Sequence, residues 1–211
     1  VSSDTATVET DEHENCAYWA STGECSKNPG YMLVNCKKSC KAASTPRQEG
    51  PIPASFYDIV ETDIEGREFK FDIFQGKVVY VINVASYCGY TDENYRMFRE
   101  LKKYQPEGFV VVLAPCNSFG FQEPGDDVAI RTFAAKEEFS GMILSKAEVN
   151  GVDSRPSFRY LKHATGYGNI KWNFDGKFLV SRSGRVMSVT NDNLEAQIQA
   201  LLREPTATPE L

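Results

Sequence analysis

Two nearly continuous apolar stretches dominate the hydrophobic pattern of the chain and are typical of buried β-strands. The first, Val78–Val84, is rich in β-branched residues, and the second spans residues 109–114. A stretch that is apolar on both faces suits a strand at the centre of a sheet that is covered on both sides. A helix-like pattern at residues 94–104 lies between them, so this part of the chain predicts a β-α-β unit.

Weaker patterns on both sides extend this unit. Strands are predicted at residues 56–60 and 67–70, a helix at 126–136 with Asp126 as its N-cap, a hairpin at 176–180 and 186–189, and a last helix at 193–202. A β-α-β unit followed by a hairpin and a helix favours an α/β fold of the thioredoxin type, with a central mixed sheet flanked by helices.

The composition of the 211 residues allows a packed core and restricts the range of partners. Hydrophobic residues make up 41% of the chain and charged residues 25%, which argues against global disorder. The net charge of −6 argues against nucleic acid as a partner, because phosphate binding needs a clustered basic surface. The apolar stretches are too short to cross a bilayer, so we expect no membrane span.

The cysteines are unevenly distributed: four of the six, Cys16, Cys25, Cys36 and Cys40, lie in one short segment. A segment of this size with few aliphatic residues cannot fold by hydrophobic burial alone. Its cysteines predict either two disulfides or a zinc site. Intervals of 8, 10 and 3 intervening residues, without a C-x-x-C pair, favour disulfides. Disulfides in turn indicate a protein that is secreted or in the secretory pathway.

Three short motifs in this segment resemble a known module. They read Cys-Ala-Tyr-Trp-Ala, Asn-Pro-Gly-Tyr-Met and Asn-Cys-Lys-Lys-Ser-Cys, and with them residues 11–41 resemble the ShK-toxin-like (ShKT) domain. That family has six cysteines, and this chain lacks the first and the sixth, which are bonded to each other. The resemblance then implies the disulfides Cys16–Cys36 and Cys25–Cys40.

The resemblance also bears on what this module does. Toxin members block potassium channels with a Lys-Tyr pair. Here Tyr31 is present, but Gly30 stands in the lysine position, so channel block is not expected. We expect either a recognition or tethering module that binds a protein or surface partner, or an accessory without a partner of its own.

These features divide the chain into five segments. They are an acidic flexible leader at 1–15, the ShKT-like disulfide domain at 16–41, a linker at 42–54, the main domain at 55–203 and a flexible tail at 204–211. The linker is rich in Pro, Gly, Ser and Thr, a composition that is typical of the connection between two domains.

Cys88 lies where the first buried strand ends and the following helix is predicted to begin. The free N–H groups of a helix N-terminus favour an anion, so we expect a thiol here to lose its proton readily and to act as a nucleophile. The alternative is a small, buried apolar residue. Thr91, three positions later, leaves no C-x-x-C motif and disfavours a thioredoxin-like or isomerase dithiol.

Two later stretches carry polar side chains of interest. The loop at 114–125 contains Gln122, and Lys-Trp-Asn-Phe at 171–174 offers an indole N–H and a side-chain amide. Each stretch alone is also compatible with a solvated glutamine or a packed tryptophan in an ordinary loop.

Taken together, three motifs resemble the signatures of the glutathione peroxidase family. They are Asn-Val-Ala-Ser-Tyr-Cys-Gly-Tyr-Thr around Cys88, Pro-Cys-Asn-Ser-Phe-Gly-Phe-Gln-Glu-Pro-Gly around Gln122, and Trp-Asn-Phe from Trp172. The resemblance covers residues 55–203 and implies a thioredoxin-like fold with a catalytic set of Cys88, Gln122, Trp172 and Asn173. It implies no metal and no bound cofactor, with a hydroperoxide and a thiol such as glutathione as co-substrates.

The chemistry of that family suits these residue types. A cysteine thiolate attacks a hydroperoxide and forms a sulfenic acid together with water or an alcohol. Neutral N–H donors stabilise the thiolate and orient the peroxide. The resemblance therefore implies an antioxidant enzyme, acting under oxidative stress, that reduces hydrogen peroxide and organic or lipid hydroperoxides.

Departures from the family pattern refine this expectation. Ala134 stands where many cysteine members have a resolving cysteine, so an external thiol, first of all glutathione, must reduce the sulfenic acid. Cys116 is expected to be a buried thiol at the end of a strand. Residues 151–171 are short, as in monomeric members whose open site admits bulky lipid hydroperoxides. The expected apolar rim of that site consists of Tyr90, Phe119 and Phe121.

Two other functions stay open beside the enzyme. In one, the peroxidase fold is a carrier and the ShKT-like module provides the binding function. In the other, the chain is a redox sensor in which oxidised Cys88 passes its oxidation to a client thiol. Turnover of peroxide with a small thiol separates the enzyme from both alternatives.

Overall fold

The computed structural model describes residues 10–44 and 50–205. The chain divides into two compact units, Val1–Gln48 and Glu49–Leu211, and the boundary between them falls within the predicted linker at 42–54. Three predicted segments lie partly outside the described residues: the leader at 1–9, the linker at 45–49 and the tail at 206–211.

Short helices and two disulfides form the first unit. The helices are α1 (Cys16–Ser21), α2 (Glu24–Lys27), α3 (Pro29–Asn35) and α4 (Lys37–Ser44). The disulfides are Cys16–Cys36 and Cys25–Cys40, the same pairing that the resemblance implies. Apart from cysteines, the buried apolar side chains described in this unit are Ala20 and Met32. The cross-links, at about 3 kcal/mol each, therefore replace most of a hydrophobic core.

The structure corrects two predicted boundaries of this unit. Asp11, which the sequence assigns to the flexible leader, forms a β-bridge with Cys36. Its carboxylate also accepts hydrogen bonds from the N–H and the Oγ of Ser39, at 3.0 and 2.6 Å. Helix α4 continues to Ser44 and so includes the first residues of the predicted linker. Sequence composition alone reveals neither the contacts of Asp11 nor the extension of α4.

The second unit is built on a five-stranded mixed sheet. The strands of this unit, which include a pair outside that sheet, are β1 (Val60–Thr62), β2 (Glu68–Lys70), β3 (Val78–Val84), β4 (Phe109–Pro115), β5 (Met142–Ile143), β6 (Lys177–Val180) and β7 (Val186–Ser188). Its helices are α5 (Thr91–Leu101), α6 (Asp127–Lys136), α7 (Pro156–Thr165) and α8 (Asn191–Arg203). Among the described helices, none combines the length and the apolar character that a bilayer crossing requires.

The order of the strands confirms the predicted fold. The sheet runs β5-β4-β3-β6-β7, and β1 and β2 form a separate antiparallel pair. β3 and β4 are parallel, whereas β6 is antiparallel to both β3 and β7. A parallel β-α-β unit followed by an antiparallel hairpin and a helix is the thioredoxin-like fold. Its central strand, β3, is buried along its whole length.

Side chains of β3 point alternately to the two faces of the sheet and pack into two separate cores. Tyr80 belongs to the core that also contains residues of α5 and α8. Val81 belongs to the core that also contains residues of α7. Cys88 packs in the first of these cores and Cys116 in the second, so the two free thiols lie on opposite faces of the sheet.

Most predicted elements of the second unit are present, but one predicted strand is wrong and the sequence predicts neither β5 nor α7. The hairpin and the last helix are confirmed, and Asp126 caps α6 by accepting a hydrogen bond from the N–H of Ala129 at 2.9 Å. The predicted strand at 56–60 is wrong, because Phe56–Asp58 is a 3-10 turn and β1 begins only at Val60. Helix α7 is absent from the sequence prediction, although the proline at its first position is a helix-start signal.

Candidate active site

Cys88 lies in the turn between β3 and α5, just beyond the end of the central strand. The residue is buried, with 8% of its surface exposed. Its N–H donates to Oγ1 of Thr91 at 3.1 Å, and that hydroxyl donates to the carbonyl of Ala85 at 2.8 Å. Thr91 occupies the position at which a C-x-x-C motif has its second cysteine, and it fixes the turn around a single thiol.

The loop after β4 places Gln122 beside this turn. The N–H of Tyr87, the residue before Cys88, donates to the backbone carbonyl of Gln122 at 3.0 Å. The Oε1 of Gln122 accepts a hydrogen bond from Nδ2 of Asn173 at 2.8 Å. This bond turns Oε1 toward Asn173 and leaves Nε2, which carries the N–H donors of the amide, to donate to a substrate.

Asn173 and Trp172 come from the loop between α7 and β6. Asn173 is buried, and its Nδ2 also donates to the carbonyl of Phe119 at 3.1 Å. Its Oδ1 has no hydrogen-bond partner among the described residues. The ring of Trp172 lies 6.3 Å from the ring of Phe119, measured between centroids. Phe119 therefore supports both residues of this loop.

Gly120 allows Trp172 and Gln122 to approach the same point. It has a φ of +67°, and a Cβ atom at this position would lie 3.1 Å from Cη2 of Trp172 and 3.5 Å from Nε2 of Gln122. The next residue, Phe121, also has a positive φ of +55°. Non-glycine residues rarely adopt this conformation, so the contacts of the loop must hold it in place.

Asn83 is a positioning residue that the sequence analysis did not identify. It is buried in β3, and its Nδ2 donates to the carbonyl of Trp172 at 2.9 Å. Its Oδ1 accepts a hydrogen bond from the N–H of Gly176 at 2.7 Å, and its backbone carbonyl accepts one from Phe174 at 3.0 Å. The signal in the sequence is a single amide within the apolar stretch Val78–Val84.

A buried carboxyl group, that of Glu123, lies between the Cys88 turn and the loop of Gln122. The sequence analysis did not identify it either. Its Oε2 accepts a hydrogen bond from Oγ of Ser86 at 3.1 Å, and its N–H donates to Oδ1 of Asn117 at 2.9 Å. Burial raises the pKa of Glu123 to about 7. A glutamate in a polar loop gives no sequence signal of burial, because loop charges are solvated by default.

An exposed aromatic rim surrounds these residues. The exposed fractions are 72% for Tyr87, 56% for Tyr90, 47% for Phe121 and 41% for Trp172. The predicted rim is thus correct for Tyr90 and Phe121. It is wrong for Phe119, which is buried beneath Trp172 and Asn173. Four exposed aromatic residues next to the candidate catalytic residues form a surface suited to an apolar ligand.

Cys116 is a buried thiol at the end of β4, as predicted. Its N–H donates to the carbonyl of Val84 at 3.2 Å, and its Sγ contacts Oγ of Ser118 at 3.4 Å. Burial raises the pKa of this thiol. Ala134 is buried in α6, a helix that contains no cysteine. A second thiol next to Cys88 is therefore not part of the described site.

The structure brings together Gln122, Trp172 and Asn173, and joins them to the turn of Cys88 through the backbone of Tyr87. The catalytic roles of the four residues stay a prediction. Among residues 10–44 and 50–205, no three His, Cys, Asp or Glu side chains are grouped so that they could hold a metal ion.

Family models match both units of the chain. A model described as "Glutathione peroxidase" matches residues 56–162. A model described as "ShK domain-like" matches residues 8–42. The first match contains Cys88 and Gln122, whereas Trp172 and Asn173 lie beyond its end.

Individual proteins are similar to the second unit in sequence and in structure. The chain is 44% identical over 159 residues, 70% of this chain and 97% of the relative, to the glutathione peroxidase-like peroxiredoxin 2 of Saccharomyces cerevisiae. It is 36% identical over 187 residues, 83% of this chain and 75% of the relative, to phospholipid hydroperoxide glutathione peroxidase 1, chloroplastic, of Arabidopsis thaliana. The crystal structure of Trgpx in apo form superposes with a TM-score of 0.57 at 30% identity, covering 72% of this chain and 97% of that one.

Proposed function

Because the chain belongs to the glutathione peroxidase family, we propose that Cys88 is the residue at which it reduces hydroperoxides. The chain is a thiol-dependent peroxidase. The assignment of the site rests on a chain of two hydrogen bonds. Asn173 donates to Gln122 at 2.8 Å, and Gln122 itself accepts a hydrogen bond from Tyr87, the residue next to Cys88.

The proposed reaction has two stages. In the first, the Cys88 thiolate attacks one peroxide oxygen, an S–O bond forms and the O–O bond breaks. The sulfur is oxidised to a sulfenic acid, and the leaving oxygen takes a proton to become water or an alcohol. In the second, one external thiol forms a mixed disulfide with Cys88 and releases water, and a second thiol restores the Cys88 thiol and leaves as a disulfide.

Gln122, Trp172 and Asn173 serve this reaction as neutral donors. Negative charge moves from the thiolate to the leaving oxygen, and preorganised N–H groups stabilise charge without being oxidised themselves. The Nε2 of Gln122 and the indole N–H of Trp172 are the groups proposed to contact the peroxide. Asn173 orients Gln122 through the bond to Oε1.

Bulky hydroperoxides are the proposed substrates beside hydrogen peroxide. The exposed rim of Tyr87, Tyr90, Phe121 and Trp172 offers apolar surface for the organic part of a hydroperoxide. Relatives named phospholipid hydroperoxide glutathione peroxidases support this substrate class. The proposal therefore includes lipid hydroperoxides.

An external thiol, glutathione in the first place, is the proposed reductant. Cys116 packs in the core on the opposite face of the sheet from Cys88, so it is badly placed to form a disulfide with the oxidised Cys88. Helix α6 supplies no cysteine either. We propose no bound cofactor, because the chemistry of the thiol and of the sulfenic acid is sufficient for both stages.

The first unit suggests where the enzyme acts. Two disulfides in a unit with a minimal core favour an oxidising compartment, and we propose a secreted or secretory-pathway enzyme that responds to oxidative stress. The ShKT-like unit is proposed to bind a protein or surface partner. A monomer is the proposed oligomeric state.

Peroxide consumption by the purified chain tests the proposal. We expect turnover with glutathione, loss of turnover in Cys88→Ser, and a decrease of roughly a hundredfold in Gln122→Ala, because one preorganised donor is removed. Cys116→Ser is the matched control and is expected to keep turnover. A thioredoxin system is assayed in parallel as the alternative reductant.

Each result has a separate meaning. Turnover that survives Cys88→Ser would overturn the assignment of the reactive residue. Turnover that needs the thioredoxin system and disappears in Cys116→Ser would contradict a single-cysteine cycle. Little turnover with either reductant, together with a trapped mixed disulfide between Cys88 and another protein, would favour the redox sensor.

A further inference from the structure

Two adjacent residues of the Cys88 turn are bonded to two adjacent residues of the Gln122 loop. The N–H of Tyr87 donates to the carbonyl of Gln122 at 3.0 Å, and Oγ of Ser86 donates to Oε2 of Glu123 at 3.1 Å. The backbone N–H of Ser86 is also near enough to the Glu123 carboxyl group to lower its pKa. The loops that carry the thiol and its donor amide are thus tied together partly by one carboxyl group.

Glu123 is held at this junction without full hydrogen bonding. The residue is 1% exposed, and its Oε1 has no hydrogen-bond partner among the described residues. Its own N–H is bonded to Asn117 at 2.9 Å, so the loop backbone fixes where the carboxyl group lies. Burial favours the neutral form of such a carboxyl group, whereas the hydrogen bonds it accepts favour the charged form, so the two effects oppose each other.

The titratable groups that face Glu123 come from two further elements. From α5, Tyr95 is close enough that its pKa is raised by burial and then by the charge of Glu123. From the segment after β5, Lys146 donates through Nζ to the backbone carbonyls of Glu123, Pro124 and Gly125. The charge of Lys146 favours the ionised carboxylate of Glu123, as do the hydroxyl and the N–H of Ser86. Burial outweighs these effects and raises the pKa of Glu123 to about 7.

We propose that Glu123 is a pH-sensitive positioning residue, whose ionised carboxylate holds the Ser86 turn and thereby keeps Cys88 in its reactive position beside Gln122. This inference rests on the proposed function of Cys88. An ionised carboxylate is an acceptor only, and its bonds with O–H and N–H donors are charge-assisted. Protonation weakens the hydrogen bond from the Ser86 hydroxyl and the attraction of the Ser86 N–H. Cys88 lies only two residues further along the chain.

The sign of the pH effect follows from this geometry. Acidification protonates Glu123 and loosens the turn, so each Cys88 thiolate reacts more slowly; raising the pH restores the rate. This effect adds to the ionisation of the thiol, which determines only how many thiolates are present. A carboxyl group that titrates near pH 7 is mostly ionised at about pH 8 and mostly neutral at about pH 6, so the rate per thiolate falls between them by at most about tenfold, the change in the ionised fraction.

Single-turnover oxidation of the reduced, full-length chain by hydrogen peroxide tests the inference. The oxidation rate is divided by the amount of Cys88 thiolate, taken from the ultraviolet thiolate absorbance after subtraction of the same signal in Cys88→Ser. Wild-type protein should show this fall in the rate per thiolate from about pH 8 to about pH 6. Glu123→Gln keeps the size of the side chain but cannot titrate, and its rate per thiolate should not change with pH. Glu100→Gln removes an exposed glutamate of α5 and should behave like the wild type.

The wild-type measurement decides the inference even where Glu123→Gln does not fold. A rate per thiolate that is independent of pH in the wild type would overturn the role of Glu123, as would a fall that persists in folded Glu123→Gln. If peroxide does not oxidise wild-type Cys88 at all, the proposed function fails instead. Alkylation of Cys88 by iodoacetamide needs no peroxide, so its rate per thiolate is then measured against pH instead. A fall in acid that Glu123→Gln removes supports the inference, and a rate per thiolate that is independent of pH contradicts it.

Discussion

Gly120 and Asn83 carry no reactive group, and yet the positions of Trp172 and Gln122 depend on them. Asn83 binds the carbonyl of Trp172 from within β3, and Gly120 leaves room for the indole ring and for the glutamine amide. Asn83 and Gly120 both act on Trp172, which is distant from them in sequence. Their effects can therefore be separated from the chemistry of Cys88 by measuring stability and reaction rate on the same variants.

Gly120→Ala is expected to slow the oxidation of Cys88 more than it lowers stability. The new Cβ would lie 3.1 Å from the ring of Trp172 and displace a proposed donor, while the positive φ costs about 1 kcal/mol. Gly66→Ala is the matched control, because Gly66 has a φ of +80° and no atom within 4 Å of the added Cβ. Stopped-flow oxidation and denaturant unfolding of both variants check this. Equal rates in the two variants would refute a role for the space at Gly120.

A buried ion pair joins two elements of the second unit, β1 and α7. Arg155 donates to both carboxylate oxygens of Glu61, at 2.9 and 3.2 Å, and the N–H of Ser157 donates to Glu61 at 2.9 Å. Burial acts to raise the pKa of Glu61, but the charge and hydrogen bonds of Arg155 outweigh it and hold the pKa below its usual value. This pair fixes the start of α7, the helix that the sequence analysis missed.

Glu61→Gln is expected to lower the free energy of unfolding by about 3 to 5 kcal/mol at neutral pH, because it leaves Arg155 charged and buried without its partner. The native pKa of Glu61 is lowered, so the wild type has this stabilisation above the ordinary glutamate pKa and loses it as the pH falls through the native value. The stability gap between wild type and variant should therefore narrow in acid.

Urea unfolding at neutral and acidic pH measures that gap. Glu65→Gln is the control, since Glu65 forms an exposed pair with Arg67, and such pairs contribute about 1 kcal/mol or less. A gap of similar size for both variants, or one that widens in acid, would contradict the assigned role of the buried pair.

The two units of the chain are stabilised in different ways. The second unit has two large apolar cores, one on each face of its sheet. The first unit has few buried apolar side chains and two disulfides. A short chain of this kind depends on cross-links because it buries too little surface to offset the entropy of folding.

Removal of one cross-link is expected to unfold the first unit and leave the peroxidase intact. The double variant Cys25→Ser with Cys40→Ser loses about 3 kcal/mol, which a unit with so small a core cannot replace. Limited proteolysis should then cleave within the first unit, while peroxide turnover stays at the wild-type level. Loss of turnover in parallel with cleavage would show that the peroxidase requires the first unit.

Local patterns along the chain were sufficient to predict several elements of the fold. Continuous apolar residues predict β3 and β4, two short strand-like stretches predict the hairpin, and the Asp126 cap marks the start of α6, because each depends on neighbours along the chain. The resemblance of short motifs identified the family and the candidate residues, and it implied the disulfide pairing that the structure contains.

Contacts between residues that are distant in sequence became visible in the folded chain alone. Asn83 meets Trp172 across 89 positions of the chain, and Ser86 meets Glu123 across 37. The same holds for the placement of Cys88 and Cys116 on opposite faces of the sheet. No local pattern encodes these contacts, because the packing of the whole sheet sets which residues are buried and which partners they have. The same packing buries the loop residue Glu123 and raises its pKa to about 7.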